Sequence, residues 1–257
     1  MIIKEYTSFK TPNDLKITPK ENVRDLGVIM NNSATFTDHV DTKIRKSKHL
    51  ISWILRTFCA RDDLTMMTLW KSLVQPHLDY CSQLWAPTKL GDLEKLDSLL
   101  RNFTSRINGM KNIDYWQRLK ILRIYSQGRR QERYIIIYTW KILENLVPNP
   151  GLNATQCPRK GRQCKVPNIV KKSPCYVKTL KESSFAVRAP KLFNVLPREI
   201  RDMEDCGVEI FKKHLDKFLS GIRDEPRISG YSAFCRAPSN SLLHIKHLEV
   251  DNHVDRI

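Results

Sequence analysis

Two adjacent carboxylates, Asp62 and Asp63, have the residue type and spacing that could hold metal ions for nucleotidyl chemistry. Polymerases hold two Mg²⁺ ions with neighbouring carboxylates on a tight hairpin between strands. In this chain the pair lies between two helical patterns, and no aromatic residue stands two positions before Asp62. We therefore expect one of the two to cap the helix that follows, and we predict no catalytic residue and no cofactor.

Cysteine and histidine side chains follow no metal-binding pattern, so no metal site is predicted. The seven cysteines include no C-x-x-C pair, and six and ten residues separate Cys157, Cys164 and Cys175, which fits no standard zinc spacing. We interpret the cysteines as reduced thiols of an intracellular protein, in the nucleus or the cytoplasm. The sequence also contains no Walker A loop and no G-x-G-x-x-G, G-x-S-x-G or H-E-x-x-H motif.

Positive charge is concentrated in the middle of the chain. The formal net charge is +17, and residues 101–201 alone carry 22 basic and five acidic side chains. Such an excess predicts a face for a polyanion, and nucleic acid is the polyanion we favour because Lys and Arg that neutralise phosphates release counterions. A solvated basic surface without a partner remains the alternative.

A membrane is not among the expected partners. No run of about 18 apolar residues is present, and the first residues lack a secretory hydrophobic segment. Pro158, Pro167 and Pro174 prevent the basic stretch 159–178 from forming one amphipathic helix on a lipid surface.

The spacing of apolar residues predicts a mainly α fold, a helical bundle with minor β elements and a basic, loop-rich C-terminal region. Short strands are expected around Val28, with Leu26 and Val28 buried, and around Ala186. The first helix has a basic flank formed by Lys43, Arg45, Lys46, Lys48 and His49. The expected helices cover residues 37–58, 64–85, 92–107, 114–124, 126–146 and 208–219, and Pro76 is expected to kink the second or split it in two.

Nine basic residues are predicted to contact nucleic acid, on the basis of charge and helix position. Arg129, Arg130 and Arg133 lie in the first turns of a helix, where cations oppose the helix dipole and favour an external anion. Aromatic residues between basic ones, such as Tyr115 and Trp116, could stack bases, although at helical spacing they more often belong to a core. The nine residues are Lys43, Lys46, Arg118, Arg123, Arg129, Arg130, Arg133, Lys171 and Lys172.

Several segments, in order over roughly residues 20–220, resemble reverse transcriptases of LINE-type (non-LTR), jockey-like retrotransposons. Val23–Met30 and Phe36–Val40 are similar to the stretch that follows the polymerase palm in this family. The segment Phe185–Pro197 resembles the family's Trp-Asn-x-Leu-Pro region, with Phe193 in place of the tryptophan. Further similar segments are Leu69–Trp85, Asp114–Leu119, Arg129–Arg130, Tyr138–Leu143, Phe211–Lys212 and Leu215–Asp216.

The resemblance implies the thumb and C-terminal region of such an enzyme, which holds a template–primer duplex through its minor groove and backbone. The catalytic aspartates of the palm are absent, so no catalytic residue of the family can be carried over. The chain is expected to begin at an internal methionine. The implied organisation is a palm-edge remnant or connector (1–36), a helical thumb-like domain (37–147), a basic linker (148–183), a small C-terminal α/β piece (184–222) and a tail expected to be disordered (223–257).

The first hypothesis is therefore a truncated retrotransposon reverse-transcriptase fragment. It would bind RNA or an RNA–DNA duplex and would not be an enzyme on its own. One alternative is a helical protein-interaction module, which an exposed apolar face on Leu64–Trp85 would favour. The other alternative is part of a longer, active RNA-directed DNA polymerase.

Overall fold

Helices account for most of the computed structural model, which describes residues 20–33, 35–87, 89–169, 174–226 and 240–244. The predicted mainly α class is confirmed. Within these ranges two separate two-stranded antiparallel sheets accompany the helices. The first sheet pairs β1 (Asn22–Asp25) with β2 (Val28–Asn31), and the second pairs β3 (Ala154–Cys157) with β4 (Gly161–Cys164).

The helices follow one another along the chain with short connections. Their bounds are α1 (Thr37–Thr57), α2 (Asp63–Leu69), α3 (Gln75–Asp79), α4 (Ser82–Trp85), α5 (Leu90–Thr104), α6 (Tyr115–Leu122), α7 (Gln127–Leu143), α8 (Cys175–Ser183), α9 (Phe185–Val195), α10 (Arg198–Arg201) and α11 (Val208–Ser220). A π-helical segment, Trp70–Val74, joins α2 to α3, and a short 3₁₀ turn covers Leu242–His244. No described helix combines the length and the apolar character that crossing a bilayer requires.

Two of three local predictions differ from the structure. Instead of a single strand, Val23–Met30 forms most of a hairpin whose turn places Leu26 and Gly27 at positive φ, which leaves the Leu26 side chain 83% exposed. The expected interruption of helix 64–85 at Pro76, which lacks an N–H, takes the form of the π-helical segment before it, and Cys81 at positive φ divides the helix again. The expected strand at Ala186 is part of α9, because the buried residues from Val187 to Leu196 continue a helical spacing.

Two apolar cores are arranged along the chain. The first gathers side chains from β2 and α1 through α6, including Ile54, Trp70 and Phe103. The second gathers side chains from α7, β4 and α9 through α11, including Trp140 and Phe211, whose rings stack at 4.6 Å. Helix α7 contacts α4, α5, α9 and α11, so it joins the two groups.

The cores do not follow the segment boundaries expected from sequence. Helix α7 falls within the expected segment 37–147, but its buried side chains belong to the second core. Within the expected linker 148–183, the β3–β4 hairpin packs on α9, and the Asn194 side chain exchanges two 2.9 Å hydrogen bonds with the backbone of Cys164. The hairpin is held because its basic side chain Arg162 is buried against Glu144.

Candidate nucleic-acid interface

The three arginines predicted on α7 point into the protein and not towards solvent. Arg129 is 1% exposed and donates to the carbonyl oxygens of Arg223 and Asn240. Arg130 binds the carboxylate of Asp79, and Arg133 binds that of Asp216. Each arginine therefore links α7 to a different part of the chain. Arg129 is left out of the candidate interface because it is buried. Arg130 and Arg133 each already have a carboxylate partner.

The other predicted contacts on α6 and beyond have different environments. Arg118 is 5% exposed and lies against the Tyr115 ring. Arg123 is exposed at the C-terminal cap of α6 with φ of 51°. Lys171 and Lys172 lie outside the described residues.

Part of the charge excess of residues 101–201 is used inside the protein. Arg162 donates to Glu144 and to the carbonyl oxygen of Leu143. Three further backbone carbonyls accept hydrogen bonds from the buried guanidinium of Arg201, and one accepts from Arg188. These arginines satisfy carbonyl groups inside the fold, a role that charge counting cannot distinguish from phosphate binding.

A row of cations lines the exposed face of α1. From Thr42 to Arg61 the chain carries six Lys or Arg residues and no acidic residue. The side chains of Arg45, Lys46 and Lys48 are exposed, and none forms an ion pair with a described residue. This face contains the predicted residue Lys46, and the predicted residue Lys43 lies half-buried on its flank, 5.2 Å from the centroid of the Tyr80 ring.

An exposed tryptophan stands among these cations. Trp53 follows Lys46 and His49 at helical spacing, so the three share one line along α1. Its indole is 46% exposed and meets the Phe58 ring edge-on at 5.9 Å. An aromatic ring supported from behind and flanked by cations is the combination that stacks single-stranded bases.

A groove of about 410 Å³ runs beside this face, between α1 and α5. No acidic residue lines it, and its polar lining consists of Lys48, Ser52, Asn102, Ser105 and Arg106. Lys48 stands on one wall and Arg106 on the other, so a phosphate backbone entering the groove would meet a cation on each side. We call the exposed side of α1, from Lys43 to Arg56, together with this groove the α1 face.

Electrostatic repulsion among the cations of this region is visible in the pKa values of its buried groups. Burial lowers the pKa of the Lys43 ammonium, and the charges of Lys46 and Arg24 lower it further. Burial also lowers the pKa of the neighbouring His39 imidazole to about 4, helped by Lys43, Arg24 and Lys46. The charges of Lys43, Lys46 and Arg24 therefore oppose protonation of His39, while Asp38 and Asp41 supply the negative charge of the first turns of α1.

The α1 face includes residues that the predicted set of nine did not contain. Arg45, Lys48 and Arg56 lie on the same basic flank as Lys43 and Lys46. The sequence feature that could have predicted them is the run from Thr42 to Arg61, which contains no acidic residue. Arg106 had no such signal, because it reaches the groove only through the packing of α5 against α1.

The described parts of the chain contain no set of side chains arranged as a metal site. No group of three or more His, Cys, Asp or Glu side chains there could hold a metal ion. Asp62 caps α2 by accepting from the Thr65 N–H at 2.8 Å, as predicted from its position. Cys157 and Cys164 are free thiols on the β3–β4 hairpin, and Cys175 is a free, exposed thiol at the start of α8.

Comparisons of the chain with protein-family models, with curated proteins and with solved structures give no match. Function is therefore inferred from the residues and the geometry described above.

Proposed function

We propose that this chain is the thumb-like region of a LINE-type reverse transcriptase and that it binds the backbone of an RNA–DNA or RNA duplex through the α1 face. The observation that carries the proposal is the set of exposed cations on α1 that have no ion pair within the described part of the chain, beside a groove that no acidic residue lines. Phosphate contacts of this kind position a duplex without reading its sequence. The proposed role is to grip the duplex, and no catalytic step is assigned to this chain.

The test compares three charges on the α1 face with three charges elsewhere. Arg45, Lys46 and Lys48 would be replaced by alanine together, and binding to a labelled RNA–DNA duplex would be measured by fluorescence anisotropy over a series of salt concentrations. If each cation meets one phosphate, the dependence of log affinity on log salt should become shallower by about 0.9 per cation removed.

The matched control replaces Lys191, Lys213 and Lys217, which are exposed on α9 and α11 and form no ion pair with a described residue. This variant has the same net charge as the first, so it should keep most of the wild-type salt dependence. Equal losses in the two variants would show that total charge, and not the α1 face, is responsible. Absence of binding at low salt by the wild type would refute the proposal.

A second candidate function, binding of a protein partner, is favoured by exposed apolar side chains around the first hairpin. Leu26 is 83% exposed, Leu84 54% and Tyr80 49%, and the Tyr80 hydroxyl donates to the Leu26 carbonyl oxygen at 2.8 Å. Met30 and Leu84 line a largely apolar cavity of about 340 Å³. Replacing Leu26 and Leu84 with serine should abolish co-purification of a partner if this face is used, and should leave duplex binding unchanged.

A further inference from the structure

A second charged site lies in a cavity of about 660 Å³ between α5 and α6. Two guanidinium groups lie near the ring of Tyr115, with the Cζ atoms of Arg101 and Arg118 at 4.7 Å and 5.9 Å from its centroid. Trp116 also lines this cavity, half-buried beside Tyr115. The cavity shares no lining residue with the groove of the α1 face, so the two sites are distinct.

Arg118 is buried without an acceptor for its hydrogen bonds. It is 5% exposed, and its Nε and Nη1 atoms have no hydrogen-bond partner among the described residues. An unsatisfied buried donor costs about 1–3 kcal/mol, and more when the group is charged. Arg162 and Arg201, which are similarly buried, donate to a carboxylate or to backbone carbonyls. The Nε and Nη1 atoms of Arg129 also lack a hydrogen-bond partner, but that guanidinium lies 3.8 Å from Glu132 and 3.6 Å from Asp224, whereas Arg118 forms no ion pair with a described residue.

Four acidic residues line this cavity, and each already has a partner; Glu225 forms a 3.0 Å ion pair with Arg223. Asp114 accepts from the Trp116 N–H as the N-cap of α6, and Glu94 lies 3.5 Å from Arg101. Asp97 accepts from the Tyr115 hydroxyl and the Gln127 N–H, and burial raises the pKa of its carboxyl to about 7. Burial lowers the pKa of the Arg118 guanidinium; Tyr115 and the charge of Asp114 act in the raising direction, and the charge of Arg101 adds a smaller lowering effect.

We propose that this cavity binds a small phosphate-bearing ligand, whose phosphate accepts hydrogen bonds from Arg118 and Arg101. Arginine suits a phosphate because phosphate oxygens match its forked donors. Arg118 supplies the unpaired charge, and the partly exposed Arg101 can donate a further hydrogen bond beside its 3.5 Å ion pair with Glu94. The cavity volume is within the range of sites that enclose small ligands, so the phosphate could be inorganic or belong to a mononucleotide that packs its base against Trp116.

The test uses the full chain and three probes at constant ionic strength: inorganic phosphate, adenosine monophosphate and adenosine. Isothermal titration calorimetry should show saturable binding of adenosine monophosphate or phosphate, and none of adenosine. Tighter binding of the nucleotide than of phosphate would identify a nucleotide site, and equal binding would identify a phosphate site. Absence of saturable binding by both anions would overturn the proposal.

Two variants assign the binding to this cavity. Arg118→Gln should weaken binding by about tenfold or more, since it removes a charged donor. Arg123→Gln removes an exposed arginine just after the same helix and should bind as the wild type does. Wild-type affinity in Arg118→Gln would overturn the proposal.

The melting temperature of Arg118→Gln without ligand gives a second readout. A buried charge without a partner destabilises the fold, so its removal should leave the melting temperature unchanged or raise it. A clear fall would show that the guanidinium has an internal partner, and it would overturn the proposal. Duplex binding is assigned to the α1 face, so the triple alanine variant of Arg45, Lys46 and Lys48 should bind the small anion as the wild type does. Loss of anion binding in Arg118→Gln and loss of duplex binding in the triple variant therefore test the two proposals separately.

Discussion

Arg130 on α7 holds the carboxylate of Asp79 on α3 with both sides of its guanidinium fork. Arg130 Nε lies 3.1 Å from Asp79 Oδ1, and Arg130 Nη2 lies 2.8 Å from Oδ2. The Gln75 amide and the Tyr134 hydroxyl also donate to Asp79. Burial alone would lower the pKa of Arg130, but the hydrogen bonds and charge of Asp79 raise it above its usual value. The pair therefore links the helices of the first core to α7 in the second.

Removing the acceptor of this network should destabilise the protein. Asp79→Ala leaves the half-buried Arg130 and the Gln75 amide without their partner, and we expect a loss of about 2 kcal/mol in the free energy of unfolding. Urea denaturation measures it through the transition midpoint. Glu182→Ala on α8, where the side chain is exposed and forms no ion pair with a described residue, should change the midpoint little. Equal midpoints for the two variants would show that the pair contributes nothing to stability.

Trp53 gives a prediction specific to single-stranded nucleic acid. If its exposed indole stacks bases, Trp53→Ala should weaken binding of single-stranded RNA by about 1–3 kcal/mol. The side chain is 46% exposed, so the fold should be retained, which circular dichroism can check. Leu64→Ala removes another exposed apolar side chain, 77% exposed at the start of α2, and should leave RNA affinity unchanged. A similar loss in both variants would argue against stacking on Trp53.

Local features of this fold could be predicted from sequence, because they depend on neighbouring residues. Asp62 and Ser126 cap their helices by accepting backbone N–H groups three residues ahead, as their positions indicate. The basic flank of α1 was likewise visible from helical spacing.

The roles of the α7 arginines could not be predicted, because their partners are remote in the chain. Arg130 pairs with a carboxylate 51 residues away and Arg133 with one 83 residues away. Local spacing placed these cations at a helix start and suggested an external anion, whereas the packing of α7 between two cores supplies the anion internally. The arginines of α7 therefore became part of an internal network. The cations of α1 stayed exposed, because one side of that helix faces solvent.

His39 makes stability depend on pH in the acid range. Its Nδ1 accepts from the Ile29 N–H at 3.1 Å, and its ring meets Trp85 edge-on, so protonation would break a backbone hydrogen bond. The folded-state pKa is about 4 and the ordinary value is 6.5, so the unfolded chain binds the extra proton first. Stability contributed by neutral His39 is therefore lost as pH falls from 6.5 towards 4, by on the order of 2 kcal/mol. His39→Gln should flatten this part of a plot of unfolding free energy against pH; an unchanged slope would contradict the assignment.

Asp97 has the opposite effect over much of the same range. Burial, together with the charge of Asp224, raises the pKa of its carboxyl from 3.8 to about 7. The folded protein thus binds a proton that the unfolded chain releases, and stability falls as pH rises from 3.8 to 7. Asp97→Asn keeps an oxygen that can accept from Tyr115 and Gln127, so at pH 8 it should be more stable than the wild type by on the order of 2 kcal/mol.

The gain from Asp97→Asn should shrink as pH falls below 7 and disappear only below 3.8, where the wild-type carboxyl is protonated in both states. Urea denaturation at several pH values measures this, and Asp25→Asn on the exposed strand β1 serves as the control. A variant less stable than the wild type at pH 8 would show that the ionised carboxylate is stabilising.

Gly161 is the position where a single methyl group should loosen the second hairpin. Its φ is +70°, and a Cβ there would lie 2.5 Å from Asp202 Oδ1 and 2.9 Å from Arg198 Cγ. Asp202 uses Oδ1 to accept from the Arg162 N–H at 2.6 Å, so the carboxylate cannot move aside without losing that bond. Gly161→Ala should therefore cost about 2–4 kcal/mol, the sum of left-handed backbone strain and a broken charged hydrogen bond.

Gly109→Ala isolates the backbone contribution, because Gly109 has φ of +76° and a Cβ there would meet nothing within 4 Å. It should cost only about 1–2 kcal/mol. Cys164 gives an independent readout of the hairpin: it is 3% exposed, and burial raises the pKa of its thiol to about 11, so it should resist alkylation in the wild type. Gly161→Ala should speed alkylation of Cys164 while Gly109→Ala should not, since only the first change displaces the strand that buries the thiol. Equal alkylation rates in the two variants would show that the contact of Gly161 with Asp202 does not hold the hairpin on α9.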